Sequence, residues 1–244
     1  MRALEIIVAF LLIAAAAPRG GTGSGDEPGS GPPGEIYRYR SVPDGRAEDA
    51  ERVVMEFLHG DTTIVLSRTD RPGGGERIEI RMEPGGELIS ASRRIVGVRG
   101  EVERADSIWR EGETAWSRTE KAGEEDTREH AVPEGKPLAV DASLLFLLRD
   151  IPFDEEAIER DFFMIDFSGR SITVTARNRG TVQIEVPAGS FRCGEIEIEV
   201  NIFLIPDPTI DYWLSADEPH FMVRHEGKRG PFTPTYVTEL LSMD

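Results

Sequence analysis

The chain has few side chains suited to chemistry: four histidines, one cysteine, a serine after a turn, and many carboxylates. His220 and His225 are five residues apart. In a strand an odd offset sends two side chains to opposite faces, so this pair cannot hold one ion without a bulge between them. Asp207, Asp211, Asp217 and His220 carry the donor types that gather around a hard or borderline cation. Aspartates beside prolines are also turn formers, which is the reading adopted for Pro206-Asp207-Pro208, and no metal is assigned. His59 adjoins Gly60-Asp61 at a hairpin tip and His130 closes the acidic run EEDTREH, so both are expected in solvent. Ser190 follows Gly189 without the G-x-S-x-G spacing or the strand-to-helix elbow of a hydrolase. Gly73-Gly74-Gly75 lacks the lysine and the following helix of a phosphate loop. Cys193 would need exposure and a lowered pKa to act as a nucleophile, whereas a lone thiol in a sheet packs as a small hydrophobe, so it is expected to be buried and inert. No catalytic residue and no cofactor are assigned. A hydrolase using Asp217, His220 or His225 would require those groups to converge in one cleft.

Binding chemistry is better represented. Aromatic side chains on a concave sheet line pockets for apolar or sugar ligands, and they also build cores. Trp109, Phe146, Trp213, Phe221 and His225 form the candidate ligand pocket. In YWLSADEPHFMVRHE, Tyr212 and Leu214 are expected on one face and Trp213 on the other, with Phe221, Val223 and His225 sharing theirs.

Positioning these residues falls to strands. Ile196, Ile198, Val200 and Ile202 alternate with Glu195, Glu197, Glu199 and Asn201, a period of two that gives an antiparallel strand with one wet face, where cross-strand arginines could pair with the acids. Arg77, Glu79, Arg81 and Glu83 interleave with Ile78, Ile80 and Met82 in the same way. Turn signals at Gly60-Asp61, Gly85-Gly86 and Pro187-Ala188-Gly189 separate such segments. Between them, Leu144 to Leu148 reads as part of a short helix capped by Asp141 and ended before Ile151, since Pro152 forbids continuation. A helix apolar on every side must be buried on every side. A second helical turn could begin at Asp154. The fold class is mainly β: one large curved antiparallel sheet, a half-barrel of about ten to twelve strands, with the apolar helix on its concave side.

Residues 1–17 read as a secretory signal peptide, because Arg2 precedes an apolar run at 6–17 that ends in four alanines and falls short of the ~20 residues of a membrane span. Residues 18–34, rich in Gly and Pro, read as a flexible tether, and 35–244 as a single β-rich domain. Cys193 lies far from the N-terminus, so no lipobox cysteine is expected, and the mature protein should be periplasmic or secreted, without a transmembrane span or lipid anchor. One cysteine forbids an internal disulfide. The net charge of −17, from 45 acids against 28 bases, disfavours nucleic acid as a partner. Only Lys121, Lys136 and Lys228 among the bases are lysine.

The strand order, with VPAGSFRC followed by DYWLSADEPHFMVRHE and the central SLLFLLRDIPF, resembles the bacterial envelope family of domain of unknown function number three thousand one hundred and eight. The resemblance spans most of residues 35–242, with its most specific motifs after residue 138. It implies an envelope protein and names no activity. A half-barrel with a helical plug is also similar in shape to the lipoprotein carriers LolA and LolB, which raises ligand binding as a hypothesis. The expectation is an exported, non-enzymatic protein that binds a lipid, another apolar or amphipathic ligand, or an envelope protein on the concave face. The alternative is a structural or interaction module with a packed interior.

Overall fold

The computed structural model describes residues 34–244 except 45, 72, 141, 154–157, 201–208 and 229–233. The expected signal peptide, almost all of the tether, the caps at Asp141 and Asp154, and Asp207 lie outside the described residues.

Eight strands come first: β1 (Gly34–Pro43), β2 (Glu51–Leu58), β3 (Thr63–Arg71), β4 (Gly74–Met82), β5 (Leu88–Gly97), β6 (Val102–Glu111), β7 (Thr114–Lys121) and β8 (Glu124–Ala131). The short β9 (Leu138–Ala139) then leads to helix α1 (Ala142–Leu148). Six more strands follow: β10 (Glu159–Ile165), β11 (Ser171–Val186), β12 (Gly189–Val200), β13 (Thr209–Ser215), β14 (Met222–Lys228) and β15 (Thr235–Met243). All fifteen belong to one open, curved sheet. From the edge at β8 they descend in order to β1, which pairs with β15, and descend again to β9 at the other edge. Each pairing is antiparallel except that of β9 with β10.

This connectivity forces the sheet to curl. Laid flat, fifteen strands about 4.8 Å apart would span roughly 67 Å. The two edges are nevertheless tied by residues 132–137, a link that reaches at most about 24 Å. The edges must therefore approach each other across a narrow seam. Alternation decides which side chains face inward. On β4, Ile78, Ile80 and Met82 are buried and Arg77 and Arg81 are exposed, and on β12 Ile196, Ile198 and Val200 are buried beside half-buried glutamates. The expected arginine partners on the outer face are present: Arg177 pairs with Glu199, and Arg179 with Glu197.

Helix α1 lies on the concave side. Leu144, Leu145, Leu147 and Leu148 are buried, while Phe146 is half-buried. Two glycines let this segment approach the sheet. A Cβ on Gly86, whose φ is +82°, would stand 2.8 Å from Leu147 Cδ2, and one on Gly194 would stand 2.2 Å from Phe153 Cδ1. Asn178 Nδ2 fixes the exit from the helix by donating to the Pro152 carbonyl at 2.8 Å. Among the described residues no helix is long and apolar enough to cross a membrane.

The strand count exceeds the ten to twelve expected. β8 has the sequence EEDTREHA, which lacks apolar alternation because an edge strand there leaves both faces wet except at His130. Conversely, 172–176 and 182–186, which read as separate strands, belong to the single β11 with an irregularity between Asn178 and Thr181.

Candidate functional site

At the seam, residues 132–137, the β4–β5 turn, the end of α1 and the start of β10 enclose a cleft of about 500 Å³. Its floor is apolar, made by the buried Leu138, Leu147 and Phe162. Its rim is charged: Arg110, Lys136 and Arg160 stand with Glu87, Glu134 and Asp150. Lys136 Nζ donates to Asp161 at 2.8 Å, and this bond, with one from Thr175, holds the Asp161 carboxyl below the usual carboxylate range. An apolar floor under a mixed-charge rim suits an amphipathic molecule, and the volume lies in the usual small-ligand range of about 300–1,000 Å³.

Behind the cleft, Arg149 follows α1 and turns inward. Its guanidinium lies 4.2 Å from the centre of the Phe57 ring, and Nη1 donates to Glu35 Oε2 at 3.0 Å. Tyr37 donates its hydroxyl to the same oxygen at 2.8 Å, and His59 Nε2 lies 2.9 Å from Glu35 Oε1. Burial alone would push the Glu35 carboxyl up, but Arg149 and the bonds from Tyr37 and His59 together hold it below its ordinary value. Burial raises the Tyr37 hydroxyl. Arg149 Nε and Nη2 and the Tyr39 hydroxyl are buried without a hydrogen-bond partner among the described residues. This cluster fastens the helix to β1 and β2.

Beside the buried Ala91, Ile108 and Ala115, the inner face of β5 to β8 carries a polar network. Arg93 reaches Asp106 at 2.7 Å and Glu76 at 3.4 Å, and Arg104 reaches Asp106 at 2.8 Å. Asp106 has only 1% of its side chain exposed. The β10–β11 turn, residues 166–170, covers this wing: Arg104 donates to the Phe167 carbonyl at 2.8 Å and Arg93 stacks 4.8 Å from the Phe167 ring centre. Under the same turn, Ser117 Oγ and His130 Nε2 lie 2.9 Å apart. Burial and then Arg128 push the His130 imidazole below its ordinary value, so it is neutral at pH 7. A neutral histidine beside a serine has the elements of an activated nucleophile. The hydroxyl is sealed, however, since Ser117 is buried and a Cβ on Gly169 would lie 2.8 Å from its Oγ.

The five residues expected in one pocket do not come together. Trp109 and Trp116 are cross-strand neighbours stacked 6.4 Å apart on the outer face, because their neighbours Ile108 and Ala115 take the inward positions. Trp213 also points outward, beneath Arg224 at 5.3 Å. Phe221 and His225 are buried, Phe221 against Tyr37 at 5.3 Å and His225 against Tyr212 at 4.7 Å. Phe146 alone borders the seam, packed by Gly86. Strand parity separates the tryptophans from the rest.

His220 Nδ1 lies 2.9 Å from the Ser215 carbonyl and its ring meets Phe153 edge-on, so its partners differ from those of His225. Among the described residues no three His, Cys, Asp or Glu side chains are grouped to hold a metal. His130 is buried, contrary to its expected place in solvent, because it shares the inward face of Ala115. Cys193 is buried, and desolvation pushes its thiol up to about 12. The Arg93, Arg104 and Asp106 network was not anticipated from sequence. Its signal was available, since Arg104 and Asp106 are in phase with Ile108 and Glu76 with Ile78.

No family model matches the chain and no curated protein matches it, so the family that the sequence resembles is not confirmed. Among solved structures, a β-barrel-like protein of domain of unknown function DUF1849 from Brucella abortus is similar over 86% of this chain and 97% of its own, with a TM-score of 0.57 and 14% identity. An exported protein of YmcC-like fold from Bacteroides fragilis aligns over 86% of this chain and 95% of its own, with a TM-score of 0.34 and 13% identity. The hypothetical lipoprotein YmcC from Escherichia coli aligns over 86% and 83%, with a TM-score of 0.37 and 11% identity. At these identities the first likeness establishes a shared fold.

Proposed function

We propose that this is an exported, non-enzymatic protein of the bacterial envelope that binds an apolar or amphipathic ligand in the seam cleft. The observation that carries the reading is the cleft itself, about 500 Å³ with Leu138, Leu147 and Phe162 below and charged side chains around its mouth. Export is supported by the apolar run at 6–17 and the alanines that end it. A binding role is favoured over hydrolysis because the Ser117 and His130 pair is sealed beneath Gly169. The test uses lauric acid below its micelle concentration, titrated into the purified protein and into Val132→Trp, whose indole would fill the cleft from its half-buried wall position. Micromolar binding that Val132→Trp abolishes, in a variant that still melts cooperatively, is the expected result. Binding absent from the parent protein, or undiminished in the variant, would overturn the reading and favour a module with a packed interior.

A further inference from the structure

On β10, Arg160 precedes the buried Phe162 by two residues and shares its inward parity, which sets a guanidinium beside the apolar floor of the seam cleft. The residue is half-buried. Other arginines that turn inward are matched to carboxylates: Arg93 and Arg104 to Asp106, Arg149 to Glu35, and Arg110 to Glu87. Arg160 has neither an ion pair nor a hydrogen bond among the described residues. A cation held against apolar surface costs free energy until a counter-charge meets it.

The mouth of the cleft has the opposite excess. Its two other cations are engaged, Lys136 by the exposed Asp161 at 2.8 Å and Arg110 by Glu87 at 3.6 Å. Glu113, Glu134 and Asp150 also line the cleft, are exposed, and have no ion pair among the described residues. Nor do they make a metal centre, since among the described residues no three such side chains are grouped to hold an ion. The unpaired charge is therefore one cation beside the floor and three anions around the rim. A purely anionic head would satisfy Arg160 while repelled by the rim and by a chain of net charge −17. A purely cationic head would satisfy the rim and leave Arg160 as it is. A head with both signs meets both, provided its anion adjoins the apolar chain and its cation lies beyond.

We propose that the seam cleft takes a single-chain amphiphile with the headgroup order of a lysophospholipid, its phosphate on Arg160, its ammonium among Glu113, Glu134 and Asp150, and its chain over Leu138, Leu147 and Phe162. The inference rests on the ligand-binding reading of the cleft and adds the ligand's chemistry. Calorimetry compares dodecylphosphocholine with dodecyl sulfobetaine, which has the same chain and no net charge but carries its two charges in reverse order. A third probe is the uncharged tetraethylene glycol dodecyl ether, and all are used below their micelle concentrations. The phosphocholine should bind the parent protein about tenfold more tightly than the sulfobetaine. In Arg160→Gln the two should bind alike, and in Arg160→Glu their order should reverse. Because Arg160 has no partner to lose, Arg160→Gln should melt no lower than the parent. Binding of the ether with equal affinity for the two zwitterions in the parent, or an undiminished preference in Arg160→Gln, would overturn the inference and leave the cleft a binding site. No binding of any of the three probes would overturn both readings.

Discussion

Replacing Gly194 with alanine tests how the segment after the helix is seated on the sheet. The added Cβ would lie 2.2, 2.4 and 2.7 Å from Phe153 Cδ1, Cγ and Cε1, so the phenyl ring rests directly on bare backbone. Phe153 is buried and also meets His220 edge-on at 5.0 Å, which leaves the ring little freedom to withdraw. Overpacking of this kind costs about 1–3 kcal/mol, set against about 0.5–1 kcal/mol regained from removing a flexible glycine. Contacts of 2.2–2.7 Å put the cost at the upper end of that range, so a net loss near 2 kcal/mol should lower the melting temperature by roughly 4–8 °C in a domain of this size. Phe153→Ala alone should cost about 3–5 kcal/mol, because it empties the site. The double variant is decisive, since without the ring the new methyl meets no obstacle and fills part of the void. It should therefore be no less stable than Phe153→Ala, giving a coupling of about 2 kcal/mol in urea unfolding. Additivity within about 0.5 kcal/mol, the behaviour of independent sites, would refute this seating of the segment.

Two further outcomes follow from buried titratable groups. Cys193 should resist a thiol reagent at neutral pH until the protein unfolds, and its stabilising contribution, present below its ordinary value of 9.0, should be lost as pH rises toward about 12; stoichiometric labelling of the native protein at the rate of a free thiol would contradict its burial. Glu35, held below its ordinary 4.5, contributes stability above that value and loses it as pH falls below; Glu35→Gln should remove this acid-side dependence and cost about 2–3 kcal/mol at pH 7 by leaving Arg149 without its counter-charge, and an unchanged urea midpoint at both pH 7 and pH 4 would count against the pair.

What the sequence disclosed was whatever repeats locally. The glutamates of β12 alternate with isoleucines, and a two-residue period needs no knowledge of the partner strand. The helix was legible because five consecutive apolar residues can be accommodated only in an interior, although Phe146, beside Gly86, is only half-buried. The candidate site was less legible. Trp109 and Trp213 were grouped with Phe221 by residue type, while their position is set by parity relative to Ile108 and Tyr212 in paired strands. The seam cleft combines side chains from Gly85 to Phe162, and its existence depends on how far the sheet curls, a property of the whole strand order. His130 was misplaced because its neighbours on β8 are solvated, and only the distant β10–β11 turn covers it.

The pairing of β1 with β15 also has a consequence for how the molecule is assembled. All other neighbouring strands in the sheet are consecutive along the chain, so each can form by local zipping, whereas Arg38 and Asp244, which meet across this junction, are 206 residues apart. Closing that long loop must be paid in chain entropy before its ladder can return anything, so this junction dominates the contact order and sets the pace of folding. Joining residue 244 to residue 34 and opening the chain between 132 and 137 would yield β9 through β15 followed by β1 through β8, the sheet's own spatial order. Apart from the parallel β9 at its edge, the molecule is thus topologically a circular permutant of a meander, cut where its middle strands meet and sewn where its edges do.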